Sequence, residues 1–163
     1  MDIIINKRFL KYKGHKFRCS IGKSGFSRSK KEGDLTTPMG VFKLGTLYFR
    51  KDRIKSVKFK LKKKIIKKNM GWCDDTQSKK YNQEINFPFQ YSAEKLFRKD
   101  RFYDIFINVK YNQSPVKKGK GSGIFLHLTN KKYKPTKGCI AVLKKDLLKI
   151  LPLIDKKTKI SII

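Results

Sequence analysis

Short apolar runs interleaved with lysine, rather than long helical stripes, set the pattern of this chain. Asp2–Ile5 and Lys16–Ile21 read as short strands, with Lys13 and Gly14 forming a turn between them. Val41–Phe49 alternates as a strand, and its internal Gly45 suggests a bulge. Ile54–Ile66 carries Val57, Phe59 and Leu61 at period two with lysines between, which predicts a strand with one buried and one solvated face. Tyr103–Tyr111 reads as the strongest central strand, and Ile160–Ile163 is placed to close the sheet. Two segments read as helices. Ser92–Arg98 has Ser92 as its N-cap, and Lys144–Leu151 puts Leu147, Leu148 and Leu151 on one face before Pro152 stops it. Gly22–Met39 is a long loop, and loops of that length inside a compact domain are commonly functional. Asn69–Tyr91 is irregular; its aromatics, Trp72, Tyr81, Phe87, Phe89 and Tyr91, are expected to pin it to the core. The pattern predicts a mainly β chain with two short helices, folded as a single domain over residues 1–163.

One stretch carries the candidate chemistry. Ile124, Phe125 and Leu126 form an apolar run ending on His127, a strand that delivers an imidazole at its tip. A polar loop with Asn130 and Pro135 follows, then Thr136, Lys137, Gly138 and Cys139 opening another apolar run. Eleven residues separate His127 from Cys139, enough for the chain to double back and bring sulfur beside ring nitrogen. A thiol nucleophile needs a base to take its proton and backbone N–H groups to hold an oxyanion. Gly138, without a Cβ, allows both a sharp turn and the close approach of a substrate. The competing reading is plain packing, because cysteine is among the most buried residue types.

These residues resemble the L,D-transpeptidase catalytic domain of the YkuD type, whose signature is a strand-end His, a loop, then Ser/Thr-His-Gly-Cys. The segment Gly33–Phe42 is similar to the family's Thr-Pro-x-Gly-x-Phe block, through Thr37, Pro38, Gly40 and Phe42. The resemblance covers roughly Asp2 to Leu151. It implies Cys139 as nucleophile, His127 as base, and an oxyanion site at the Gly138 and Cys139 N–H groups. It also implies that the Leu128 carbonyl orients the imidazole, with Thr136, Lys137, Ser122 and Tyr111 as candidate substrate contacts. No metal or other cofactor is expected, and the expected partners are peptidoglycan stem peptides. Three departures stand out: Lys137 replaces the usual His, Ala141 stands where Arg or Asn is usual, and the loop after His127 is short. An idle wall-binding domain of the same fold therefore stays open as an alternative.

The charge adds a second rival. The net charge is +30, which invites a nucleic-acid reading, but 35 of the 42 basic residues are Lys and only 7 are Arg. Arg is the better reader of phosphates and bases, and the lysines are spread along the chain, so no specific nucleic acid is expected. Attraction to anionic cell-wall polymers or a membrane surface is the alternative use of the charge. Three cysteines make an odd count, against a disulfide framework. Cys19 reads as an inert strand residue. Cys73 reads as packing, with a redox pair or a metal site shared with Asp74, His127 and Cys139 the weaker alternatives. A positive field around Lys137 is expected to lower the Cys139 pKa. Met1–Ile5 is followed at once by Asn6, Lys7 and Arg8, which breaks any apolar signal-peptide core. The substrate class implies a periplasmic or cell-envelope location; the sequence start leaves a cytoplasmic one open.

Overall fold

The computed structural model describes all residues, Met1–Ile163. In chain order the first strands are β1 (Ile3–Asn6), β2 (Phe9–Tyr12), β3 (His15–Arg18), β4 (Phe26–Ser27), β5 (Thr37–Pro38), β6 (Gly40–Phe49) and β7 (Lys63–Ile65). They are followed by β8 (Met70–Cys73), β9 (Glu84–Asn86), β10 (Ala93–Lys95), β11 (Ile105–Val109), β12 (Phe125–Thr129) and β13 (Ile140–Leu143). One helix, α1 (Lys144–Ile150), a 3-10 turn at Leu151–Leu153 and β14 (Lys159–Ile162) complete the chain. Strand content of 37% against 6% helix makes the protein mainly β.

The main sheet has the order β13-β12-β11-β6-β14-β1-β2-β3, with β7 added to part of β6. β12 with β13 and β14 with β1 are parallel pairs; the other pairings along that order are antiparallel. The expected bulge is present. Leu44 to Leu47 of β6 oppose Val109 to Ile107 of β11, so one extra β6 residue is accommodated near Gly45. β14 closes the sheet by pairing with both β1 and β6.

Two apolar layers cover the sheet. Ile105, Ile107, Val109, Leu126, Leu128, Ile140 and Val142 enter one cluster of 24 buried residues, which α1 covers with Leu147 and Ile150. The residues between them on the same strands, Phe106 and Phe125, join Tyr48, Trp72, Leu96 and Tyr103 in a second, aromatic cluster. Alternation along β11 and β12 thus feeds two cores, which explains why every residue of β11 is buried.

Three sequence expectations are corrected. Ser92–Arg98 is not a helix: Ala93–Lys95 pairs with β8, and the Leu96 N–H donates to the Met70 carbonyl at 3.1 Å. Seven residues make a marginal helix, and Leu96 gains full burial in the aromatic layer as the chain runs extended. Ile54–Ile66 is strand only at Lys63–Ile65, because β14 takes Gly40–Lys43 of β6 and leaves Leu47–Phe49 for β7. Ile54, Phe59 and Ile66 are nonetheless buried, so the segment packs as an irregular cover. Within Asn69–Tyr91, β8 and β9 pair with each other; of its aromatics Trp72 and Tyr81 are buried as expected, whereas Phe87 and Phe89 are only partly buried and Tyr91 is exposed, so they do not pin the segment to the core.

Candidate active site

Period-two alternation delivers both reactive groups to one side of the sheet. On β12, Leu126 and Leu128 face the large core, so Phe125 and His127 face the aromatic layer. On β13, Ile140 and Val142 face the large core, which puts Ala141 and Cys139 on the aromatic side. His127 is in register with Ala141 across the parallel pair. Cys139 is therefore its diagonal neighbour, with Cα atoms about 8 Å apart by strand geometry. Both line a single cavity of about 600 Å³.

His127 is buried, and its ring packs edge-on against Tyr103 at 5.2 Å between centroids. Its Nδ1 lies 2.8 Å from the Leu128 carbonyl oxygen, which accepts the proton there and leaves Nε2 as the basic nitrogen. Burial pulls its pKa down to about 4, with the Leu128 bond opposing, so the imidazole is neutral at pH 7. The Cys139 thiol donates to the Gly123 carbonyl at 3.1 Å and accepts from the Phe125 N–H at 3.3 Å. The expected lowering of its pKa is not found. Burial, with the Glu94 charge added, pushes the thiol up to about 12, against the pull of the Phe125 N–H and the Lys30 ammonium. The resting pair is thus thiol and neutral imidazole. For such a thiol to act as a nucleophile, it would turn from Gly123 toward Nε2 and give up its proton as it attacks.

The turn before Cys139 is held by Thr136. Its hydroxyl donates to the Cys139 carbonyl at 2.6 Å and accepts from the Gly138 N–H at 3.1 Å. Of the two amides expected at an oxyanion site, Gly138 is thereby engaged, and Cys139 N–H is the one without an acceptor. Gly138 has φ +143°, and a Cβ there would lie 2.8 Å from the Thr36 carbonyl oxygen. This contact couples the two sequence blocks. Thr37 Oγ1 accepts from the Gly22 N–H at 2.8 Å, and Gly22 pairs with Thr136. The Gly33–Phe42 block is a buttress under the cysteine turn.

Beneath that turn lies a residue that no pattern in the sequence singles out. Lys30 is 5% exposed; its ammonium donates to Asp34 Oδ1 and the Thr36 carbonyl, both at 2.8 Å. Asp34 also accepts from the Lys31 N–H, the Thr36 N–H and the Thr36 hydroxyl, and its carboxyl is held well below the usual range against the cost of burial. The cavity wall further gains Trp72, Asp74, Glu94, Arg98 and Tyr103. The Tyr103 hydroxyl donates to Glu94 at 2.7 Å, and Arg98 stacks over the Tyr103 ring. Glu94 and Arg98 are brought in by the strand pairing that replaced the expected helix.

Among the expected substrate contacts, Thr136, Lys137 and Ser122 line the cavity; the Ser122 hydroxyl donates to Glu32 at 2.7 Å. Tyr111 does not line it. Its ring packs edge-on against Phe42 and its hydroxyl donates to the Lys120 carbonyl at 2.6 Å, so it serves the loop instead. All three cysteines are free. Cys19 is buried just past β3, where burial pushes its thiol up to about 12, and Cys73 is fully buried in β8. No three His, Cys, Asp or Glu side chains gather as a metal site, and no helix is long and apolar enough to cross a membrane.

The imidazole sits in the middle of β12 rather than at the strand tip expected from the sequence; with a fixed tautomer, sharing one cleft with a cysteine on a tight turn, it is equipment for acyl transfer through sulfur. The chain belongs to the YkuD family of L,D-transpeptidase catalytic domains, whose model matches residues 3–162. Membership gives it a peptidoglycan-related function of L,D-transpeptidase type. Neither curated proteins nor solved structures gave a match. Relative to the family pattern, Ala141 leaves the position beside His127 without a cation, while Arg98 enters the same cavity from another segment.

Proposed function

We propose that this protein is a cysteine-dependent L,D-transpeptidase acting on peptidoglycan stem peptides. The observation that carries the reading is the shared cavity of Cys139 and His127, with Nδ1 of His127 tied to Leu128 so that Nε2 is the base. Cys139 attacks the carbonyl between a diamino acid and a D-alanine while Nε2 takes the thiol proton. The tetrahedral oxyanion forms at the Cys139 N–H, and collapse expels the D-alanine amine, which receives the proton from Nε2. The thioester left on sulfur is then resolved by the amine of a second stem, giving a cross-link, or by water, giving a trimmed stem. Ser122 and Lys137 contact the stem, and Thr136 keeps the turn in place. The substrate places this activity at the cell envelope, where the net charge of +30 favours anionic polymers.

The test is intact-mass analysis with defined tetrapeptide muropeptides and, as a second acylating agent, a carbapenem. One adduct per chain is expected on the native protein and none on Cys139→Ser. An unmodified native mass with both reagents overturns the enzyme reading in favour of an idle wall-binding domain.

A further inference from the structure

β6, β14, β1, β2 and β3 lie side by side in the main sheet, and none of their residues lines the Cys139 cavity. Ile3, Ile5, Leu10, Ile160 and Ile162 point from them into the large core. The residues between these point the other way, toward solvent. Register aligns Lys16, Lys11, Ile4, Ser161 and Val41 in one row across that outer face. Phe9 lies on the diagonal from Ile4, and Ile163, one residue past β14, on the diagonal from both Ile4 and Val41. Ile4, Phe9, Val41 and Ile163 are four of the seven large hydrophobic side chains left exposed by the fold, at 37–57%, so the strip is a concentration rather than scatter. The charge beside it is unrelieved. Lys11 stands directly opposite Lys16, and Lys43 directly opposite Lys159, a relation that destabilises a sheet. None of these four lysines makes an ion pair, and the five strands carry no acidic residue. Asp2, just before β1, accepts from the Lys159 N–H at 3.2 Å.

We propose that this outer face docks on an anionic phospholipid bilayer, with the strip of Ile4, Phe9, Val41 and Ile163 at the headgroup–acyl boundary and the lysines among the headgroups. The surface is separate from the acyl-transfer chemistry and does not depend on it. An apolar strip edged by cations matches an interface that is anionic outside and apolar within. Lipid headgroups also supply the counter-charge that the two opposed lysine pairs lack inside the protein. A second copy of the chain does not fit, because it would set the same unpaired lysines against each other. A phosphate polymer or single-stranded nucleic acid satisfies the lysines but leaves the aliphatic strip uncovered. The one ring on the face, Phe9, is covered by the Lys16 ammonium at 4.5 Å and offers no stacking platform for a base.

Binding of the full chain is measured by co-sedimentation with vesicles of phosphatidylcholine alone and of phosphatidylcholine with phosphatidylglycerol in equal parts. The anionic vesicles are expected to bind roughly tenfold or more tightly than the neutral ones. Ile4→Thr/Val41→Thr, which keeps β-branched residues in both strands, and Lys11→Gln/Lys43→Gln should each weaken that binding severalfold. Lys145→Gln/Lys149→Gln, which removes two exposed lysines from α1, should leave it nearly unchanged. No binding to the anionic vesicles overturns the surface. So does an equal loss from the α1 variant, which marks diffuse attraction by net charge. Native binding by the threonine variant also overturns it, in favour of a site for polyanions at large. Amine-acetylation footprinting of the native protein gives a readout that needs no variant. Anionic vesicles should slow labelling of Lys11, Lys16, Lys43 and Lys159 severalfold and spare Lys145 and Lys149; uniform slowing, or none, counts against the bilayer.

Discussion

Lys30→Met isolates the ion pair under the cysteine turn. Methionine keeps an unbranched stem against Gly121, so little cavity is made and the loss is that of the ammonium. Removing one partner of a buried pair typically costs about 3–5 kcal/mol, because the other charge is left uncompensated. Here the cost is smaller. The Asp34 side chain is 24% exposed and retains three hydrogen-bond donors, although the Thr36 carbonyl also loses its partner. The expectation is about 2–3 kcal/mol, at or just below the bottom of that range. For a chain of 163 residues that corresponds to a Tm lower by roughly 5–10 °C in calorimetry.

The double variant Lys30→Met/Asp34→Asn separates two roles. With no orphaned charge it should recover at least about 1 kcal/mol, the coupling expected between contacting groups. The acylation rate should not recover, because the Lys30 charge acts on the Cys139 thiol and Asp34 is not among the groups that shift it. The sign with pH is also set. Asp34 has a depressed carboxyl pKa, so its contribution is present above about pH 4, the unfolded carboxylate range, and fades as pH falls further. The gap between native and Lys30→Met protein should narrow in acid. A Lys30→Met protein within about 0.5 kcal/mol of native, or a double variant that restores the rate along with stability, would refute the reasoning.

Two other predictions are direct. His127 is held neutral, its pKa drawn from 6.5 to about 4 chiefly by burial, a gap of about 3 kcal/mol. That contribution is complete above pH 6.5 and is lost as pH falls toward 4, so denaturant midpoints should drop across this window and drop less in His127→Gln; parallel curves count against it. Gly138→Ala would place a Cβ 2.8 Å from the backbone oxygen of Thr36 at φ +143°. It should cost about 2–3 kcal/mol in denaturant unfolding and slow acylation of Cys139, and native-like values in both would contradict the buttress described above.

The sequence disclosed the site where local pattern and pairing agree. The run Ile124–Leu126 has one workable role, a buried strand, and its alternation fixes the face on which His127 emerges. The second apolar run repeats that alternation from Cys139, so two neighbouring strands bring imidazole and thiol together. What stayed hidden depends on partners distant in sequence. Lys30 looks like any of 35 lysines until Asp34 and Thr36 close around it. Glu94 sits in a run of good helix formers, and only pairing with β8 turns it toward Tyr103. β2 escaped because Phe9, 40% exposed, blurs an alternation that buries Leu10 and Tyr12.

The same burial explains why the charge around the site predicted its chemistry poorly. A +30 chain suggests a thiolate stabilised by surrounding lysines, yet the only lysine that acts appreciably on Cys139 is the buried Lys30, and it is already engaged by Asp34. Exposed lysines are screened by solvent and counterions within about a Debye length. Desolvation acts at the sulfur itself, and Glu94 lies in the same cavity. Proximity and dielectric therefore outweigh number. A neutral thiol beside a neutral imidazole follows from these surroundings, and in the proposed reaction it makes His127 a base that works during attack rather than a standing counterion to a thiolate.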